Sequence, residues 1–465
     1  MMRHIRRPAT GVATTISTAA AISAALLVSC GQNAEEADKF PSTEPTVPLA
    51  AGEITSFRLD NGITVYLQEE HSKPEVAVEV LYTGGVIHEG EGKTQVSRVV
   101  PHMLIFSPTA SFGRKEAVDK VQEVGRINGE VSGAFSHFDY TGPGDQLELL
   151  LQVEAERLTS VEFNDEQLVQ FAKKCQEDLD QILEDPRLSL SKYGLMAFNQ
   201  VYNYGQTSVP LYNGVFQLTL KDLENFRNAR YRLADMVLAI TGDFDTAAAT
   251  DLINKYFGPV KERSEIDTPT PRPVTHNVNA HWDVAANVMF LVFPGPYENE
   301  VERLVLTMFG AFLNRQLQTD QELARHIKSS FCSNQLYPVD EMPFFVFAEM
   351  KRDREPQEIR PALLLTIDDS MRRVTEKMFG AMQTNLITFM ESSIFDAQMN
   401  ISNVPHFQIL SQEALNIASR HYLRNGRTTE EFAELINSIT YEQAAGYIES
   451  RLTLENMKEV VIREQ

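Results

Sequence analysis

The sequence predicts an α+β protein of two topologically related domains, each a mainly antiparallel sheet covered by helices on one face. Three observations predict it. Strand-like segments, then helices, then a late strand recur in both halves of the chain. A polar, proline-rich stretch, "GPVKERSEIDTPTPRPVTHN", parts the halves. The length of 465 residues exceeds what one ordinary core organises, while 43% hydrophobic and 23% charged residues are globular proportions. The domains are read as 52–258 and 276–465, joined by a linker at 259–275. With 64 acidic against 42 basic residues, the charge balance argues against nucleic acid as a partner.

The elements follow in order. "FRLDNGITVYLQEE" alternates about an Asp-Asn-Gly, the signal of a hairpin with a two-residue turn. "EVAVEVLYTGG" reads as a buried strand, "RKEAVDKVQEVG" as a helix charged on one face and "GEVSGAFSHFDYTGPG" as extended chain. "DQLELLLQVEAERLTS" is an amphipathic helix; "NDEQLVQFAKKCQEDLDQILEDP" is a longer one, capped by Asn164 or Asp165 and stopped by Pro186. "TLKDLENFRNARYR" is helical from a capping threonine, "ADMVLAITGDFD" is a strand and "TAAATDLINKYFG" a helix. The second half opens with the strand "ANVMFLVFPGP". The helical stretches "NEVERLVLTMFGAFLNRQLQ", "RPALLLTIDDSMRRVTEKMFGAMQTNLITFMESS" and "TTEEFAELINSIT" follow, and the strand "MKEVVIREQ" closes it.

The first 51 residues differ in kind. "MMRHIRR" is basic, and "ATTISTAAAISAALLV" is apolar but short for a membrane span. "LVSC" resembles a bacterial lipobox, which implies a signal peptide at 1–29 and lipid on Cys30; an ordinary signal peptide with a chance cysteine is the alternative. Gly31 favours the outer membrane in bacteria that sort by that position. Residues 30–51 read as a flexible tether. Cys175 and Cys332 could pair in an oxidising compartment, but they fall in different domains and buried free thiols are the expected state.

Several segments in the right order resemble the pitrilysin/insulinase family of zinc peptidases, the inverzincins, including the processing-peptidase type. "FRLDNGITVYLQEE" is similar to the family's opening hairpin. "PHMLIFSPT" is similar to the second half of its metal helix, "SGAFSHFDYT" to its edge strand and "LELLLQVEAERL" to the helix that follows. "FNDEQLVQFAKKCQEDLDQILEDP" resembles the helix that carries the distal zinc-binding glutamate, and "MVLAITGDFD" with "INKYFG" the end of the first domain. The resemblance implies a two-domain half of a clam-shell.

It also implies where the chemistry is missing. The family's His-x-x-Glu-His puts two ligands on one helix face, with a glutamate as general base and a distant carboxylate completing the zinc shell. Here the first histidine falls on Arg98, the base on Pro101, the second histidine on His102, the distal ligand on Asp178 and a supporting glutamate on Phe171. Arg98 offers no lone pair, and Pro101 moves no proton and is expected to start or kink the helix. Two rescues are open: Glu177 and His137 joining His102 and Asp178 around a displaced metal, or an Arg98–Asp178 pair standing in for zinc. From the second half, Arg325 and Phe331 fall near the positions of the family's substrate-binding Arg/Tyr pair; Arg325 as a solvated helix residue is the plainer reading.

The expectation is a catalytically degenerate homologue, lipid-anchored and facing the periplasm. It would be the non-catalytic partner of an active zinc-bearing family member, or a homodimer, or a binder of extended peptides. No catalytic residue and no cofactor are expected. The alternative is a divergent zinc metalloendopeptidase using His102 and Asp178; a purely structural envelope protein is a third class.

Overall fold

The computed structural model describes residues 52–464 apart from 86–87, 91, 94, 132–134, 185–214, 263–276, 283–286, 333–342 and 393–403. Cys30, the leader, the tether and most of the linker lie outside the described residues, as do Pro186 and the side chains of Cys175 and Asp178.

The first sheet holds β1 (Thr55–Arg58), β2 (Thr64–Glu69), β3 (Glu75–Tyr82), β4 (Arg126–Val131), β5 (Ser136–Pro143) and β6 (Val237–Gly242), in the order β1-β2-β6-β3-β5-β4. The second holds β7 (Val278–Trp282), β8 (Val288–Phe293), β9 (Ile327–Cys332), β10 (Phe344–Met350) and β11 (Lys458–Glu464), in the order β7-β11-β8-β10-β9. Without β1, the two orders superpose strand for strand. Each sheet has one parallel contact at the same place, β2–β6 and β7–β11, and is otherwise antiparallel. The fold is the α+β pair of related domains read from the sequence.

The opening hairpin forms, but not with a two-residue turn. Arg58 faces Thr64, leaving residues 59–63 as the connection. Tertiary bonds hold it: Asn61 Nδ2 donates to the carbonyls of Phe257 at 2.8 Å and Val260 at 3.0 Å. Gly62 takes φ +98° with Ala234 close by, a position that excludes a side chain.

Helices of the first half are α1 (Val96–Phe106), α2 (Glu116–Val124), α3 (Leu147–Thr159), α4 (Asp165–Glu184), α5 (Leu220–Arg230) and α6 (Thr246–Phe257). Their starts follow local chemistry. Asn164 accepts from Gln167 N–H at 2.9 Å, and Thr219 forms a capping box with Asp222. Val76, Val78, Val80 and Tyr82 of β3 and Phe138 and Tyr140 of β5 face these helices and join one buried core. Alternation sends Ala77, Glu79 and Leu81 to the opposite face.

The second half contributes α7 (Glu300–Thr319), α8 (Pro356–Arg373), α9 (Glu376–Glu391), α10 (His406–Leu423), α11 (Thr429–Ser438) and α12 (Tyr441–Arg451). The stretch read as one helix around Arg373 is two. Thr375 caps α9 by accepting from Met378 N–H, and this stops α8.

Helix α10 carries no clear sequence signal, and it lies against β3, β6 and β5 of the first sheet, on the face opposite the core helices. Thr241 Oγ1 donates to the Leu410 carbonyl at 2.9 Å and Tyr422 OH to the Leu81 carbonyl at 3.2 Å. His406 sits between three residues of the first half: Nε2 is 2.8 Å from Glu70 and 3.2 Å from Ser72 Oγ, and Nδ1 is 2.8 Å from Glu75. Among the described residues no helix is long and apolar enough to cross a membrane.

Candidate functional site

Helix α1 carries the positions where the family's metal chemistry would stand. It forms because Val96, Val99, Val100, Met103 and Leu104 make a stripe at helical spacing that is buried against the core. Gln95, in the left-handed region at φ 73°, gives it no side-chain cap. Glu89 from the preceding loop does that work instead, accepting from Ser97 N–H at 3.3 Å and Ser97 Oγ at 2.5 Å. Burial pushes the Glu89 carboxyl up to about 7, against the bonds from Ser97 and the nearby charge of Arg98.

Pro101 neither starts nor ends this helix. It lies inside α1, and Val100 is helical and buried rather than extended. Proline removes only the bond to the Ser97 carbonyl. The apolar stripe on both sides and the Glu89 clamp on Ser97 hold the backbone through the gap. Arg98 and His102 therefore remain one turn apart on a shared, half-buried face, so the spacing survives and the donors are what is lost.

His102 sits in a group of rings. Its imidazole stacks on Phe171 of α4 at 5.7 Å and 25°, and on Phe106 at 6.5 Å and 13°; Phe106 and Phe171 are 5.7 Å apart. Phe171, standing where the resemblance implies a supporting carboxylate, thus packs on His102. Gln167 fixes α4 to the end of α1 by accepting from Ser107 Oγ at 3.0 Å and donating to the Phe106 carbonyl at 3.4 Å. A catalytic zinc needs about three protein donors and an open position. Phe106 and Phe171 stack on His102, Arg98 and Pro101 share its helix, and none of these four side chains is a zinc ligand. Asp178 falls within α4, but its side chain lies outside the described residues, so the Arg98–Asp178 pair does too.

Of the displaced cluster, His137 does not join His102. His137 is on β5 and faces away from α1, whose Ile105 packs under Gly129 on the core side of β4. Its Nδ1 is 2.7 Å from Glu79. Glu177 is exposed, 4.0 Å from Lys173 on its own helix. Glu79, inside an apolar strand, is absent from the sequence-predicted site; a charged residue in "EVAVEVLY" was the available signal.

The strand beside the site also differs from expectation. "SGAFSHFDYT" supplies β5, which is interior; the edge strand is β4, "RINGEV". Among the described residues β4 pairs only with β5, so its outer backbone edge is open.

In the second half, Arg325 ends a single helical turn before β9. It is exposed and ion-paired with Glu322. Phe331 lies on β9 and packs on Phe347 at 4.7 Å and Phe345 at 6.1 Å. Each is thus engaged with its own neighbours. Cys332 is a free, buried thiol 3.0 Å from the Gly310 carbonyl.

Residues 217–386 match the family model described as the peptidase M16 inactive domain. No match was found among curated proteins. Solved structures share the fold at low identity. A protease from Helicobacter pylori is 16% identical with a TM-score of 0.67, over 89% of this chain and 100% of that one. The first half of the periplasmic protease PqqL from Escherichia coli is 15% identical with a TM-score of 0.60, over 90% and 94%. A mutant of the ferredoxin protease FusC, in complex with Arabidopsis ferredoxin, is 16% identical with a TM-score of 0.60, over 88% of this chain and 48% of that one. By family model over 217–386 and by fold over most of its length, the chain is similar to the pitrilysin-like M16 peptidases.

Proposed function

We propose that the chain binds extended peptide segments without cutting them, as the non-catalytic partner of an active zinc peptidase of the same fold. One observation carries the reading: α1 and α4 are in place, yet they present Arg98, Pro101, His102 and Phe171 where hydrolysis needs donors and a base. Backbone pairing needs neither, and β4 offers an open strand edge beside α1. The FusC structure holds a ferredoxin, and the chain spans about half of FusC and of full-length PqqL, in keeping with a half clam-shell completed by another chain. The lipobox-like "LVSC" would anchor it through Cys30 at the outer membrane, facing the periplasm.

Co-purification from the native envelope tests this. The expected result is a stable complex with a chain carrying an intact His-x-x-Glu-His helix, and no peptide hydrolysis by the isolated chain. Chelator-sensitive hydrolysis by the isolated chain that disappears in His102→Ala overturns it in favour of the metallopeptidase alternative.

A further inference from the structure

We propose that the face of the first sheet turned away from α1 holds a divalent cation between Glu79 of β3 and His137 and Asp139 of β5, with Glu130 of β4 at its mouth. The strand register builds this set. Glu79 lies opposite Asp139, and Glu130 opposite His137, so all four side chains share one face over three adjacent strands. One ligand atom from each of Glu79, His137 and Asp139 lies within 4.8 Å of the others. His137 Nδ1 is 2.7 Å from Glu79 Oε1, and its Nε2 is 3.8 Å from Glu130 Oε2. Tetrahedral ligands about 2.1 Å from a metal stand about 3.4 Å apart, within the range these atoms span.

A second observation is the state of Glu79 itself. The side chain is 1% exposed, and its Oε2 has no hydrogen-bond partner among the described residues. A buried carboxylate oxygen left open is costly unless something positive meets it.

Charge points the same way. Three carboxylates surround one imidazole, and a proton on His137 leaves the group negative. Burial opposes charge on both carboxyls, pushing that of Glu79 up to about 7 and raising that of Asp139. Burial also opposes a charge on His137, yet the carboxylates of Glu79 and Glu130 hold its pKa well above the ordinary range. A dication with neutral His137, together with Arg126 of β4, balances the three carboxylates. Arg126 acts on Asp139 and is held over the Phe407 ring of α10 at 5.0 Å.

Asn128 bonds Asp139, as an outer support of a ligand would. One imidazole with carboxylates suits zinc or manganese better than calcium. Glu130, a quarter exposed on the open edge, gives a way in.

The test is equilibrium dialysis of the full-length chain in detergent against zinc or manganese ions at neutral pH, with bound metal counted by mass spectrometry. The expected result is one bound ion in the wild type and in His102→Ala, with affinity at least about tenfold lower in Glu79→Gln and His137→Ala. The less buried Asp139→Asn and Glu130→Gln serve if those variants fail to fold, and circular dichroism checks each protein. Absence of stoichiometric metal in the wild type overturns the proposal. So does metal that survives His137→Ala and Asp139→Asn but is lost with His102→Ala, which would place the ion at α1 and strike the proposed function as well.

Discussion

Replacing Glu89 with glutamine separates two effects that oppose each other at the start of α1. An anionic carboxylate suits a helix N-terminus, worth about 0.3–1 kcal/mol at the surface. Burial of the same charge works against it, and burial wins: the side chain is nearly sealed, and its pKa rises from 4.5 to about 7. A group held above its unfolded value stabilises the fold fully below about pH 4.5, and that contribution is lost as the pH rises through about 7. The interval corresponds to about 3 kcal/mol. Glutamine still offers Ser97 an acceptor and cannot ionise. Glu89→Gln is therefore expected to match the wild type near pH 4 and to exceed its stability by up to about 3 kcal/mol near pH 8. Urea unfolding at both pH values, followed by circular dichroism, measures the difference. A loss of more than about 1 kcal/mol near pH 8 would refute the reasoning, because the anionic cap would then outweigh burial.

Three further outcomes follow from contacts already described. His406→Ala leaves the carboxylate of Glu70 buried with its imidazole partner gone, and is expected to cost about 3–5 kcal/mol in chemical denaturation. His102→Ala removes a half-buried ring from a three-ring stack; the expected loss is about 0.5–1.5 kcal/mol, the same with and without chelator. In Gly129→Val the new Cβ would meet Ile105 Cδ1 at 2.7 Å and Phe138 Cδ1 at 3.1 Å, so these side chains must repack between α1 and β4; a loss of about 1–3 kcal/mol in thermal or urea unfolding is expected.

Much of the fold was legible in the sequence where one physical signal dominated. Continuous apolar strands such as "VMFLVF" and capped helices such as the one after Thr219 fell where local chemistry put them. The signals failed where tertiary partners decide. "RINGEV" is polar and half-exposed because an edge strand has one neighbour, so it read as part of a longer extended run. Helix α10 is buried on several sides, including Glu413 and Arg420, and lacks the clean one-sided stripe that marks a surface helix. At the candidate site, a proline rule drawn from isolated helices missed that the core carries α1 through Pro101. Glu79 stayed hidden because its role depends on a register between strands far apart in sequence.

The position of α10 has a consequence for how the chain can be divided. A shortened gene ending at the proline-rich stretch would encode every strand of the first sheet, yet leave Ala77, Leu81 and Thr241 facing water with the Tyr422 ring and the Leu410 carbonyl gone. Such a fragment is expected to be sticky and poorly folded. During synthesis the first half would wait, with one side of its sheet bare, until residue 423 has left the ribosome.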